Sequence, residues 1–317
     1  MSAESTHSGA RLEPTRCALC NTPGGADELY PATMDESSLN AAIFSARRLP
    51  DRVHFRIVRC QTCGLVRSDP VADGETLERL YRQSTFTYGQ EVDDLRHTYG
   101  RLLQRLDRHG ATRGALLEIG CGNGFFLEEA LAQGWREVRG VEPGGETIQA
   151  ARPEIRDRIV RDLMREGLFP AQEFDAVCLF QVLDHLPDPR GVLEACRTVL
   201  KPGGLILAAN HNVEAFSARV LGERSPIIDI EHTYLYSPRT MRQLFAQCGF
   251  EVCEVEPFWN RYALRYLVRL LPLPSGMKAS LLKWLGTSAI GQCRFQVPLG
   301  NLVLIARKPI PADTSKS

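Results

Sequence analysis

The stretch GALLEIGCGNGFFLEEALAQGW, residues 114 to 135, constrains the fold more than any other part of the chain. An apolar run, ALLEI, leads into three alternating glycines, and a helix-like pattern follows them. A strand that turns through glycines into a helix brings backbone N–H groups to the helix N-terminus, where a carboxylate, phosphate or sugar hydroxyl can approach the main chain. The dinucleotide fingerprint would be Gly-x-Gly-x-x-Gly, but here the third glycine comes one residue early and is followed by Phe125. Taken alone, the loop is weak evidence, and a tight strand–helix turn that binds nothing is the alternative.

Apolar runs alternate with helical patterns from residue 114 onward. The predicted strands are ALLEI, EVRGVE, RIV, FDAVCLF, LILAAN, FEVCEVE and LVLIARK. Helical patterns such as RGVLEACRTVL and SPRTMRQLFAQCG stand between most of them. Strands that alternate with helices predict a parallel sheet with right-handed crossovers, so the fold class is α/β.

Two acidic residues follow the second and third predicted strands. Glu142 ends the strand in VRGVEPG, about 20 residues after the glycine loop, where a carboxylate can accept both ribose hydroxyls of an adenosine. Asp162 follows the third strand in IVRDLMREG and is placed to meet the exocyclic amine of adenine. The glycine loop and these two carboxylates together favour an adenosine-containing ligand over a bare turn.

These motifs, in this order, resemble the class I S-adenosylmethionine-dependent methyltransferases over residues 114 to 256 and the closing strand near 301 to 307. LLEIGCGNG is similar to the first motif of that family, GVEP to its second, and KPGG to the turn before its fifth strand. The resemblance implies a Rossmann-like, doubly wound sheet of seven strands with the last strand antiparallel. It also implies S-adenosyl-L-methionine as cofactor and methyl transfer as the reaction.

The resemblance also implies which residues hold the cofactor. Gly120, Gly122 and Gly124 would make room for its methionine part, Glu118 would orient the amino group, and Glu142 would hold the ribose. Asp162 and the main chain of Leu163 would contact the adenine, while Gln181 and Val182 would line the floor near the sulfonium. The remaining predicted cofactor contacts are Cys121 and Asn123 in the loop and Tyr88 in the preceding segment LYRQSTFTYGQE.

Two Cys-x-x-Cys pairs, RCALCN and RCQTCGLVR, precede the sheet. Their cysteines are Cys17, Cys20, Cys60 and Cys63. Two such knuckles can place four thiolates around a structural Zn²⁺, although the 39 residues between the pairs exceed the spacing of a compact ribbon and require an inserted loop. A redox pair and chance spacing are the alternatives. An N-terminal module of this kind resembles those of bacterial enzymes that methylate sugars or other small metabolites.

Three histidines follow predicted strands, at the edge where open α/β sheets build their sites. His185 in LDHLPDP and His232 in IEHTYLYSP, with its neighbour Glu231, are the predicted catalytic residues. Histidine is the usual base near neutral pH, and the Glu-His pair resembles a motif of sugar C-methyltransferases. A purely structural role is the alternative for His185, and hydrogen bonding to the acceptor is the alternative for His232. His211 in AANHN is the weakest candidate of the three.

The chain divides into four predicted parts. Residues 1–16 form a disordered tail, 17–70 the zinc-binding module, 71–113 a helical lid or linker, and 114–317 the methyltransferase domain with a cap insertion at 257–299. In that insertion Arg261, Arg265 and Arg269 are spaced four residues apart on a predicted helix that also carries tyrosines and leucines. Such a helix is typical of a solvated face, of a membrane surface across 261–285, or of contact with the diphosphate of a nucleotide- or lipid-linked sugar.

Composition limits the remaining choices. Lys plus Arg and Asp plus Glu both number 38, so no overall field draws the chain to nucleic acid or to a membrane. The N-terminus has no apolar signal-peptide core, and no apolar run approaches the roughly 18 residues of a spanning helix. We expect a cytoplasmic enzyme with reduced thiols that methylates a hydroxyl of a small molecule, a sugar or a secondary metabolite. C-methylation of a nucleotide sugar, and methylation of RNA or protein through the zinc module, are the alternatives.

Overall fold

The structure, a computed structural model, describes residues 11–35, 39–40, 52–83, 92–270 and 273–311. The strands are β1 (Leu12–Glu13), β2 (Ala26–Tyr30), β3 (Ile57–Cys60), β4 (Val66–Ser68), β5 (Val71–Ala72), β6 (Ala115–Ile119), β7 (Glu137–Val141), β8 (Ile159–Val160), β9 (Phe174–Phe180), β10 (Leu200–His211), β11 (Tyr234–Leu235), β12 (Glu251–Ala263) and β13 (Arg294–Arg307). The helices are α1 (Gly74–Arg82), α2 (Val92–Arg105), α3 (Phe125–Ala132), α4 (Gly145–Gln149), α5 (Pro153–Arg156), α6 (Pro189–Val199), α7 (Phe216–Leu221), α8 (Pro238–Gln247), α9 (Leu264–Leu270) and α10 (Ser275–Thr287).

The main sheet has seven strands in the order β12-β13-β10-β9-β6-β7-β8. Strands β6 to β10 run parallel, and β13 is antiparallel to both β10 and β12. The predicted α/β class and the antiparallel last strand are therefore confirmed. The order reverses between β6 and β9, and ligands of open α/β sheets bind at such a switch point, beyond the carboxyl ends of the strands.

Both faces of the sheet are buried, which explains why its strands read as continuous apolar runs. Neighbouring residues such as Leu116 and Leu117 point to opposite faces and join two separate cores. One core lies under α2 and α3, where Tyr99 stacks on Phe180 at 4.1 Å between ring centroids. The other core lies under α6 and α8.

The helices begin where local chemistry satisfies their first N–H groups. The Asp73 carboxylate accepts the N–H of Thr76 at 2.9 Å and begins α1. Ser237 and Thr240 form a capping box at the start of α8. The helical lid predicted over 71–113 corresponds to α1 and α2, and its predicted break near STFTYG lies outside the described residues.

A second sheet has the order β11-β4-β3-β2 and joins two parts of the chain that the sequence predicted as separate. Strands β2 to β4 belong to the predicted zinc module, but β11 comes from the loop after the fifth strand of the main sheet. The module thus shares a sheet with the larger domain.

The tail predicted over residues 1–16 differs from the structure at its C-terminal end. Leu12–Glu13 pair with Val71–Ala72, and Thr15 is buried, with its N–H donated to the Asp69 carboxylate at 2.9 Å. A polar composition indicated disorder there, but these long-range hydrogen bonds satisfy the backbone. Residues 1–10 lie outside the described part.

The predicted cap insertion at 257–299 begins and ends as strand. Strands β12 and β13 continue to pair from Asn260↔Val297 to Ala263↔Arg294, and α9 and α10 lie beyond that extension. The helix predicted to carry all three arginines is therefore wrong for Arg261, which lies in β12, because pairing with β13 outweighs the four-residue spacing. No helix within the described ranges combines the length and apolarity needed to cross a bilayer.

We predict that Phe126→Ala lowers the free energy of unfolding by about 3–5 kcal/mol, because the Phe126 ring is fully buried. Its centroid lies 4.6 Å from that of the Phe180 ring. Urea unfolding measures the change. Phe126→Leu keeps most of the volume and should cost less than about 1.5 kcal/mol. A loss below 1 kcal/mol for the alanine variant would contradict the packing described.

Candidate active site

The glycine loop between β6 and α3 needs glycine for its backbone. Gly120, Gly122 and Gly124 have φ angles of 69°, 54° and 73°, in the left-handed region that side chains disfavour. A Cβ on Gly120 would lie 2.5 Å from Val182, and one on Gly124 would collide with Ile155. Gly120 and Gly124 therefore lie so close to neighbouring side chains that a larger residue at either position would collide with them.

Buried acceptors surround this loop. Glu118 at the end of β6 is 3 % exposed, and within the described part of the chain its Oε2 atom has no hydrogen-bond partner. Burial, with the nearby carboxylate of Glu142, raises the pKa of Glu118 well above its usual range. The amide oxygens of Asn123 and Gln181 are likewise buried without a partner among those residues. A ligand with N–H or O–H donors would satisfy all three groups.

Glu142 fixes the loop to the end of β7. Its two carboxylate oxygens accept the N–H groups of Gly122 at 3.0 Å and Gly144 at 2.8 Å. Burial raises the pKa of Glu142, and these two N–H groups oppose that shift. Each oxygen keeps a further lone pair, which is what two ribose hydroxyls would require.

Asp162 follows β8 on the same side. It accepts the N–H of Leu163 at 2.8 Å and a hydrogen bond from Arg165 at 2.9 Å, and Arg82 of α1 lies 3.6 Å away. The backbone bond from Leu163 is the main reason that its pKa is lowered. The C-terminal end of helix α1 thus lies near the position predicted for adenine.

The floor of the site is formed by the end of β9. Gln181 has a left-handed φ of 56°, uncommon for a residue with a side chain, and donates from Nε2 to Asn301 at 3.1 Å. The side chain of Cys121 is buried against Gly140 of β7, and its predicted contact with the cofactor stays a prediction. Tyr88 lies outside the described residues.

These residues fit the cofactor that the sequence implied. Oxygen acceptors without a partner among the described residues line the loop, where an ammonium group and ribose hydroxyls would donate. Glu118, Asn123, Glu142, Gln181 and the three glycines would hold it.

Beyond the floor, one buried carboxylate brings three histidines together. Asp184 is 1 % exposed, and its Oδ2 accepts the Nδ1–H of His211 at 2.8 Å. His232 directs Nε2 toward the same oxygen at 3.9 Å and donates its Nδ1–H to the carbonyl of Ile227 at 2.8 Å. Burial raises the pKa of the Asp184 carboxyl, but His185 and the hydrogen bond from His211 outweigh it and hold that pKa well below its usual range.

His185 completes this cluster from the loop after β9. Its ring lies 4.9 Å from that of His232, and its Nδ1 lies 3.3 Å from the hydroxyl of Tyr81 in α1. Burial lowers the pKa of His185 to about 4, so the ring is neutral at pH 7. The Tyr81 hydroxyl also lies 3.5 Å from the carbonyl of Glu231. The role predicted for the Glu231 carboxylate stays a prediction.

The sequence predicted two members of this cluster and missed its centre. Asp184 was not singled out, and His211 was the weakest candidate, yet the Asp184–His211 hydrogen bond is the shortest contact in the cluster. A signal existed in LDHLPDP, where an acidic residue precedes the histidine in an apolar context. The possible metal-ligating atoms of Asp184, His211 and His232 also lie within 4.8 Å of one another. The 2.8 Å between Asp184 Oδ2 and His211 Nδ1, however, is the length of an ordinary hydrogen bond.

The four module cysteines form a separate cluster with their Sγ atoms within 4.8 Å of one another. Cys17 and Cys63 are 3.4 Å apart at sulfur, and Cys20 and Cys60 are 4.0 Å apart, near the about 3.8 Å of a tetrahedral zinc–thiolate site. Burial raises the pKa of Cys60, but the N–H groups of Cys63 and Thr62 outweigh it and lower that pKa to about 7. The set fits a closed zinc site with no open position.

The cysteine cluster also supports the histidine loop. Ser68 of β4 donates its hydroxyl to the carbonyl of His232 at 2.7 Å. Arg239 of α8 donates to the carbonyl of Cys63 at 2.6 Å. The module therefore contacts the histidine cluster through the backbone of the loop that carries His232.

The chain is similar in sequence to known methyltransferases. A family profile described as a methyltransferase domain matches residues 92–255. A ubiquinone biosynthesis O-methyltransferase of Stutzerimonas stutzeri is 31% identical over 150 residues, 44% of this chain and 62% of that protein. Its counterpart from Chromobacterium violaceum is 32% identical over 153 residues, with the same shares of 44% and 62%. The chain thus spans less than two thirds of the length of these curated relatives.

Among solved structures, a putative methyltransferase from Bacillus halodurans C-125 superposes with a TM-score of 0.48 at 18% sequence identity. The match covers 66% of this chain and 98% of that one.

We predict that the purified chain contains one zinc per molecule in its cysteine cluster and that Cys60→Ser removes it. Since binding energy at such a site is folding energy, the melting temperature should fall by at least about 5 °C. Elemental analysis and thermal unfolding measure the two effects. Cys253→Ser, at an exposed single cysteine, serves as the control and should change neither. Zinc retained by Cys60→Ser would exclude the four-thiolate site.

Proposed function

Since the chain belongs to the methyltransferase domain family, we propose that it transfers the methyl group of S-adenosylmethionine to a hydroxyl of a small molecule. A sugar or a secondary metabolite is the proposed acceptor class. The curated relatives are named for O-methylation in ubiquinone biosynthesis, which supports an oxygen acceptor on a small molecule.

The observation that carries the proposal is the buried, unpartnered carboxylate oxygen of Glu118 beneath the glycine loop, within the described residues. A buried carboxylate without a donor is costly unless a ligand compensates it. The ammonium group of S-adenosylmethionine supplies both a positive charge and N–H donors. Glu142 and Asp162 lie on the same side for the ribose and the adenine.

The cofactor, when bound, supplies an electrophilic methyl group for in-line displacement. The protein must then align the acceptor hydroxyl and remove its proton. His211 is the residue best placed for this step, because its Nδ1–H is held by Asp184 and its Nε2 is left to accept a proton. It lies two residues beyond Ala209, whose carbonyl accepts the N–H of Gln181 at 2.7 Å, so the base and the floor of the cofactor site are close.

Asp184 stabilises the imidazolium that forms on His211, as the carboxylate of a catalytic triad does. His185 and His232 border the same space, where they would contact the acceptor. Tyr81 of α1 covers the cluster from the lid side.

Two alternative functions are distinguishable by experiment. C-methylation of a nucleotide sugar would leave a methyl group on carbon, which ether-cleaving reagents do not remove, whereas they do remove the methyl group of an ether. Methylation of RNA would require binding that weakens steeply with salt. We also propose that the protein acts in the cytoplasm, where its thiols stay reduced.

We predict that S-adenosylhomocysteine binds the zinc-loaded protein and that Glu118→Gln weakens this binding about tenfold or more. The cause is the loss of a charge-assisted bond to the ligand ammonium. Isothermal titration calorimetry measures both constants. Glu142→Ala should weaken binding as well, through the ribose and the loop. Glu146→Gln, at an exposed position of α4, is the matched control. A folded wild type that fails to bind would refute the methyltransferase proposal.

We predict that His211→Gln lowers kcat by about 10²–10⁴-fold while the affinity for S-adenosylhomocysteine stays unchanged, because a general base contributes rates of this order. Asp184→Asn should act on the same step, so the double variant should be little worse than His211→Gln alone. Release of S-adenosylhomocysteine with a panel of hydroxylated acceptors measures the rate. His97→Gln on α2 is the control. Full activity in His211→Gln would assign the base elsewhere in the cluster.

A further inference from the structure

The segment from Pro257 to Pro311 contains no acidic residue. Its part from residue 257 to 299 carries six basic side chains, at Arg261, Arg265, Arg269, Lys278, Lys283 and Arg294. We propose that this part, residues 257–299 and here called the tip, docks on the surface of an anionic lipid bilayer. This inference goes beyond the proposed reaction and does not depend on it.

The tip also concentrates exposed apolar side chains. Of the nine large hydrophobic residues exposed in the described part of the chain, five belong to it. They are Trp259, Met277, Trp284, Ile290 and Phe295. Five of nine such side chains in one segment of the chain favour an interaction there, and tryptophan side chains favour the boundary between lipid headgroups and acyl chains.

Helix α10 combines both features on one side. Met277 and Trp284 are each 53% exposed and lie seven residues apart, two turns along the same face. Lys283 is exposed beside Trp284. Apolar side chains that enter an interface, with cations next to them for the headgroups, are the pattern of a helix lying on a membrane.

The base of the tip is held by the lid. Asp94 of α2 is buried and accepts from Arg294 at 2.7 Å, with Arg261 at 3.4 Å. This neutralises part of the charge where the tip meets the body of the protein. Arg265, Lys278 and Lys283 lie further out along α9 and α10, where they can attract anionic headgroups.

The location of the tip gives the docking a consequence for the site. Strands β12 and β13 leave the main sheet beyond the Phe258↔Asn301 pair. Asn301 pairs with His211 in the sheet and accepts the hydrogen bond from Gln181. The tip therefore extends from the edge that carries the proposed active site, so docking would bring that edge to the bilayer surface.

Charge favours a bilayer over a second copy of the chain. A symmetric dimer through this surface would bring two acid-free, basic tips together, and like charges at an interface are unfavourable. An RNA partner would use the cations and the tryptophans, but Met277 and Ile290 offer nothing that a nucleic acid requires. An anionic lipid surface uses both kinds of side chain.

The test is flotation of the full-length, zinc-loaded chain with vesicles of phosphatidylcholine alone and of phosphatidylcholine mixed with phosphatidylglycerol. We expect binding to the mixed vesicles that is at least tenfold tighter than to the neutral ones and that weakens with salt. Met277→Glu combined with Trp284→Glu should abolish it, and Lys278→Glu combined with Lys283→Glu should weaken it more than tenfold. Ile310→Glu is the matched control, since Ile310 is 70% exposed but follows the other end of β13.

Cooperative thermal unfolding of each variant shows that the body is folded, and binding of S-adenosylhomocysteine, measured separately, distinguishes a failed docking proposal from a failed enzyme proposal. Absence of vesicle binding by the wild type would overturn the proposal, as would equal binding by the wild type and the Met277/Trp284 variant. Light scattering that shows a dimer lost in that variant, or retention of RNA without retention of vesicles, would assign the surface to a second copy or to nucleic acid instead.

Discussion

The buried carboxylate of Asp184 connects the parts of this protein on which its proposed chemistry depends. Its side chain orients His211 and faces His185 and His232. Its backbone carbonyl accepts the N–H groups of Thr233 and Tyr234 at 2.8 and 3.1 Å, which places β11. One residue thus holds the proposed base and also the strand that connects the large domain to the small sheet. A charge buried in this way is tolerated because the Nδ1–H of His211 donates a hydrogen bond to it.

The small sheet turns the cysteine cluster into a support for the acceptor site. Strand β11 pairs with β4, and β4 is joined to the cysteine knuckle by the turn after Cys63. A closed four-thiolate site contributes folding energy and no open coordination position. The backbone of the His232 loop, which Ser68 contacts directly, is one route by which it would affect the proposed reaction.

The proposed reaction and the proposed docking use the same edge of the sheet. The carboxyl ends of the parallel strands provide the cofactor floor and the base, while the extended β12–β13 pair carries the tip outward from that edge. The last turn of helix α1 lies against both parts of the site, with Tyr81 at the histidines and Arg82 near Asp162. An acceptor at a bilayer surface would meet the site from this direction.

The sequence by itself determined the features that depend on local chemistry. The strand–glycine–helix unit and the apolar strands were predictable because side-chain spacing and glycine conformations act over a few residues, and the cysteine pairs because each knuckle is a short turn. Only the tertiary structure decided what comes from distant segments. It brought Asp184, His211 and His232 to one point, paired β11 with the cysteine module, and placed Arg261 in a strand rather than a helix. Those arrangements depend on long-range strand pairing and burial, which no local pattern along the chain encodes.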